Sequence, residues 1–141
     1  MSLRMTPMLA LTGLLACGGG SLMYSAAGLS ATAPQDAYAC ANDQFKKLGY
    51  RIRAHDETDY RILAERENAD IREPSGLFKR GFDRLELTAA PDASGQTAIA
   101  IKAQSFKESV TARGNNLDEI EATERARTDT KAILEACAPA N

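Results

Sequence analysis

Apolar side chains recur along this chain at two different spacings. Following Pro34, the residues Ala37, Ala41, Phe45 and Leu48 fall three or four apart, which is one stripe of a helix, and Lys46-Lys47-Leu48-Gly49 closes it with a glycine suited to a left-handed cap. The spacing then changes to two. Tyr50, Ile52 and Ala54 alternate with Arg51, Arg53 and His55, and Tyr60, Ile62 and Ala64 alternate with Arg61, Leu63 and Glu65. With the polar run Asp56-Glu57-Thr58-Asp59 between them, these segments predict two half-buried strands and a hairpin turn. A second hairpin is predicted from Leu85, Leu87 and Ala89, the turn Pro91-Asp92-Ala93-Ser94-Gly95, and Ile99, Ile101 and Ala103. The last helix is expected to open at Asn116, with Glu119 at capping-box spacing, and to run through Ile120, Ala122, Ala126, Ile133 and Cys137 as far as Pro139. Asp118, Glu121 and Glu124 read as its solvated face, with Glu121 and Arg125 a favourable pair.

Assembled, these elements predict an α+β two-layer sandwich in the order α-β-β-β-β-α, an antiparallel four-stranded sheet with both helices on one face. The other face would present Arg51, Arg53, His55, Arg61, Glu65, Arg84, Glu86, Thr88 and Lys102 to water. A length of 141 residues, 44% hydrophobic and 26% charged, suits one folded domain, placed at residues 34–138.

The N-terminal segment has a different character. Arg4 precedes a short apolar run that includes Met8-Leu9-Ala10-Leu11 and ends in Leu14-Leu15-Ala16-Cys17, so residues 1–16 read as a signal peptide. From Gly18 to Thr32 the residues are mostly Gly, Ser, Ala and Leu, and residues 17–33 are expected to form a flexible tether of about 20 Å. Leu14-Leu15-Ala16-Cys17 resembles the lipobox of bacterial lipoproteins. The resemblance implies that the Cys17 thiol is diacylated, that Cys17 becomes the mature N-terminus, and that membrane lipid is thereby its first partner. Gly18 after the cysteine implies the outer membrane, facing the periplasm, in a Gram-negative host. The alternative is an ordinary secretory signal cut at a small-x-small site such as Ser25-Ala26-Ala27, which leaves an unanchored periplasmic protein. With Cys17 consumed by lipid, Cys40 and Cys137 remain as an even pair in an exported chain and are expected to be bridged.

Charge and motif content narrow the chemistry. A net charge of -2 and a pI near 5.5 give no field for a phosphate backbone, so nucleic acid is not an expected partner. There is one histidine, His55, no G-x-S-x-G elbow, no set of metal ligands at zinc or calcium spacing, and no signature of a cofactor. Gly76 to Gly81 has the glycine spacing of a phosphate loop, but Phe82-Asp83 stands where Lys and Ser or Thr must act. That stretch lies in a long connection from Glu67 to Gly81. Its Leu77, Phe78 and Phe82 either fold back over a sheet edge or form an apolar contact for a partner or a lipid surface. Arg51, Arg53 and Arg61 either pair across strands with Glu65 and Glu86 or hold an anionic group of an envelope polymer.

Taken whole, the lipobox, tether, helix ending in Leu48-Gly49-Tyr50, strand meander and closing helix with a late cysteine resemble small lipoproteins of Gram-negative bacteria, a family of unknown function. The resemblance implies location and fold and carries over no catalytic residue. The expected role is a non-enzymatic envelope module that binds a protein partner through the Leu77 to Phe82 loop or the open sheet face. An anion-binding module and an enzyme of unfamiliar type are the other classes.

Overall fold

The computed structural model describes residues 21–139, which form β1 (Tyr24–Ser30), α1 (Pro34–Lys47), β2 (Arg51–Asp56), β3 (Arg61–Glu67), β4 (Phe78–Pro91), β5 (Thr97–Thr111), β6 (Gly114–Ile120) and α2 (Glu124–Cys137). The expected signal peptide (residues 1–16) and Cys17 lie outside the described residues. The fold is α+β with an antiparallel open sheet, but the sheet has six strands where four were expected. Its order is β1-β5-β4-β3-β2, and β6 also pairs with β5. The 15-residue β5 makes this possible. Its first half carries β1, from Ser30 opposite Thr97 to Tyr24 opposite Ala103, and its second half carries β6, from Ile120 opposite Ser105 to Gly114 opposite Thr111.

Two expectations are corrected here, each for a physical reason. Residues 24–30 belong to a strand and not to a tether, so the domain begins upstream of residue 34. The inward positions of β1 are Tyr24, Ala26, Gly28 and Ser30, opposite Ala103, Ile101, Ile99 and Thr97. They are mostly small because α2 passes close above them: a Cβ on Gly28 would stand 3.1 Å from that of Ala138. Likewise Asn116 lies in β6 and caps no helix. Almost every residue of β6 is exposed, so no buried alternation marks it in the sequence, and its polar composition suits a sheet edge that must not recruit another strand. The cap of α2 is Thr123, whose hydroxyl oxygen accepts from the Ala126 N–H at 3.1 Å.

The other elements follow their sequence signals. Gly49, at φ +83°, ends α1 with its N–H donating to the Lys46 carbonyl while the Tyr50 N–H donates to that of Phe45, a Schellman cap closed by contact of the Tyr50 and Phe45 rings. Asp56 Oδ1 accepts the N–H groups of Thr58 and Asp59, turning β2 into β3, and Asp92 does the same for Ser94 and Gln96 between β4 and β5. Ala37, Ala41 and Phe45 of α1 and Ala126, Ile133 and Cys137 of α2 share one buried cluster with Ile62, Ala64, Leu85, Leu87, Ala89, Ile99, Ile101 and Ala103. A Cys40–Cys137 disulfide, with Cα atoms 5.7 Å apart, ties the two helices across 97 residues of sequence.

Candidate functional site

The strand residues that face away from this core form a lattice of arginines and glutamates. Glu65 is its hub: Oε2 accepts from Arg53 Nε at 2.9 Å, and Oε1 accepts from Arg84 Nη2 at 2.7 Å. Arg61 Nη2 donates to Glu86 at 2.7 Å. Further along β5, Glu108 accepts from Arg80, from Lys79 at 3.4 Å and from Asn115 at 2.9 Å. The hydrogen bond from Arg80 is the main cause holding the Glu108 carboxyl below its ordinary range, and the same bond raises Arg80. The cross-strand pairing expected for Glu65 and Glu86 is thus present.

Phe82 and Phe106 lie on this same face, directly opposite each other in β4 and β5, with ring centroids 5.3 Å apart. Arg80 stacks 4.7 Å above Phe82 and Arg84 4.7 Å above Phe106, so the guanidinium planes close over the rings. Phe82 is therefore 1% exposed and unavailable to a partner, contrary to the expectation that grouped it with Leu77 and Phe78. The connection is also shorter than expected, because β4 begins at Phe78. It folds back through Ile71, which sequence reasoning did not single out and which is buried against Gly81.

Where β2 begins and β3 ends, the lattice opens into a cleft of about 290 Å³. Arg51 and Arg53 line it together with Arg66 and Arg80, against Glu65 and Glu67. Arg61 is not there; it lines a separate depression with His55, Asp56 and Glu86. A bulge between Ile52 and Ala54 shifts the register so that His55 stands opposite Ile62, not on the outward row assigned to it from alternation alone. Arg66 and Arg80 were missed because Arg66 falls on the core face in register with Asp83, and Arg80 precedes the alternating run that marks β4. Arg66 reaches the cleft from behind: it lies 3.7 Å from Asp129, which accepts the Tyr50 hydroxyl hydrogen bond at 2.9 Å. Burial, and next the charge of Asp129, push the Tyr50 hydroxyl above its ordinary range.

A second polar cluster lies inside the domain. Asp83 is fully buried and accepts from Ser105 Oγ at 2.6 Å, Thr123 Oγ1 at 2.8 Å and Asn68 Nδ2 at 2.9 Å. The Thr123 N–H donates to Ser105 Oγ at 3.0 Å. Each partner is satisfied, and the cluster clamps together the long connection, two strands and the start of α2. Its signal in the sequence was an acid two residues before Leu85 on an inward row.

Among the described residues no group of three His, Cys, Asp or Glu side chains is placed to hold a metal ion, and no helix is long and apolar enough to cross a membrane. No protein-family model matches the chain, and no curated protein matches it.

Proposed function

We propose that this chain is a lipid-anchored binding module of the bacterial envelope, acting without a catalytic step, whose arginine cleft takes a carboxylate or phosphate group of its ligand. One observation carries the reading: four guanidinium groups from three strands, Arg51, Arg53, Arg66 and Arg80, line one cleft with two carboxylates. Among the described residues Arg51 has no carboxylate partner, so a cationic group is left over. Planar guanidinium forks suit the bidentate geometry of such anions. The burial of Phe82 in the aromatic stack favours the cleft over the Leu77 to Phe82 loop as the proposed ligand surface.

Strand β1 weighs against a cut after Ala27 and is compatible with the anchor. A cut after Ala27 would strip Tyr24 to Ala27 from their partners Ala103 to Ala100 and leave a core strand with a bare edge. A cut before Cys17 leaves β1 whole, and with it the outer-membrane, periplasm-facing location that the lipobox implies.

Titration with inorganic tripolyphosphate at two salt concentrations tests the cleft. Arg51→Glu and Arg53→Glu are expected to abolish a salt-sensitive binding that Arg61→Glu retains. Binding that survives both cleft reversals overturns the assignment.

A further inference from the structure

The β4–β5–β6 end of the sheet projects past β3, whose pairing with β4 stops at Glu67 opposite Phe82. Leu77, Val110 and Leu117 gather at this tip. The Val110 N–H donates to the Leu77 carbonyl at 2.8 Å, and Leu117 stands opposite Glu108, two residues from Val110 and on the same face. Leu77 is 58% exposed and Val110 and Leu117 47% each, a concentration of apolar surface that a water-facing tip does not need. Arg113, in the turn of the same hairpin, is exposed; of the two acids of β5 and β6 on this face, Glu108 is buried and occupied by Arg80, Lys79 and Asn115, and Glu119, exposed and bonded by Gln104, stands opposite Phe106, farther from the tip than Leu117.

Strand direction relates this tip to the anchor. β1 runs antiparallel to β5, so the chain preceding Tyr24 leaves the sheet in the direction of the tip, with the Leu22 carbonyl held beside the Ile120 end of β6 by the Ala122 N–H at 2.9 Å. From Cys17 to Tyr24 is seven residues, a reach of up to about 25 Å. From Ala103, opposite Tyr24, to Val110 is also seven residues, about 24 Å of strand. The acyl chains and the tip can therefore meet one plane.

We propose that Leu77, Val110 and Leu117 insert into the headgroup region of an anionic phospholipid bilayer, the one to which Cys17 is attached, with Arg113 among the lipid phosphates. The proposal rests on the lipid-anchor reading. It seats the domain on its tip.

A photo-reactive phenylalanine analogue replacing Leu117 in the full chain, expressed in its host, tests this, with Glu135 on the exposed side of α2 as the control position. The expected result is a lipid-sized adduct from position 117, several-fold above that from 135, on a chain carrying acyl mass. A discrete protein adduct or a crosslinked pair of chains would overturn lipid insertion in favour of that occupant. An acylated chain with no adduct at 117 would overturn insertion and leave the anchor standing. A chain without acyl mass that still gives the lipid adduct would sink the anchor and keep the tip; one that gives none would sink both.

Discussion

A Cβ placed on Gly81 would stand 2.2 Å from the Cβ of Ile71, so the connection between β3 and β4 is seated on the absence of a side chain. Gly81→Ala must push Ile71 off the sheet, at an overpacking cost of about 1 to 3 kcal/mol. In the double variant Gly81→Ala with Ile71→Gly the clashing Cβ is gone, so the combined penalty should be less than the sum of the two separate ones in urea denaturation. Additive penalties would show that Ile71 does not rest on Gly81.

The start of α2 offers a direct contest between two threonine- and asparagine-based caps. Thr123→Ala removes the acceptor for the Ala126 N–H and one donor to buried Asp83, and should cost about 2 kcal/mol. Asn116→Ala, at the position that local sequence nominated, should stay within about 0.5 kcal/mol because Asn116 is exposed in β6. A reversal of that order in thermal melts would restore the longer helix.

Acid should weaken the tip of the sheet through Glu108. Its folded pKa is lowered from 4.5, chiefly by the Arg80 hydrogen bond, so its contribution is fully present above the unfolded value and is lost as pH falls through the lower, folded one. The protection of the β4–β5–β6 amides, relative to their intrinsic exchange rate at each pH, should therefore fall as pH drops below the ordinary glutamate range. Glu108→Gln should be weaker at neutral pH and show less of that acid dependence. An identical acid profile in the two proteins would remove Glu108 as the source.

The disulfide closes nearly the whole domain, and in the chain-entropy picture such a closure contributes about 4 to 5 kcal/mol. Reduction, or Cys40→Ser with Cys137→Ser, should lower stability by up to that amount, with no change in far-ultraviolet dichroism where the protein remains folded. A midpoint unaffected by reductant would contradict it.

The legible parts of this fold are those in which burial writes a period into the chain. Ile62, Leu85, Leu87, Ile99 and Ile101 alternate because one side of each strand meets the core, and Gly49, Asp56 and Asp92 mark turns by local chemistry alone. β1 and β6 are held by the edge of β5 through backbone pairing. In β1 the inward residues shrink to let α2 approach, and in β6 nearly all side chains face water, so neither carries a hydrophobic signal. The cleft was half legible: Arg51 and Arg53 follow from alternation in β2, whereas Arg66 joins them through contacts distant in sequence, and Arg61 separates from them because Glu86 holds it elsewhere.

The anchor, and the bilayer on which the tip would rest, depend on where the mature chain begins, and the intact mass of protein extracted from its host reads that directly. A chain starting at Cys17 and carrying acyl mass, with β1 complete, is the expected result. A chain without acyl mass that starts at Gly28, lacking the first four residues of β1, would contradict both the anchor and the place of β1 in the sheet.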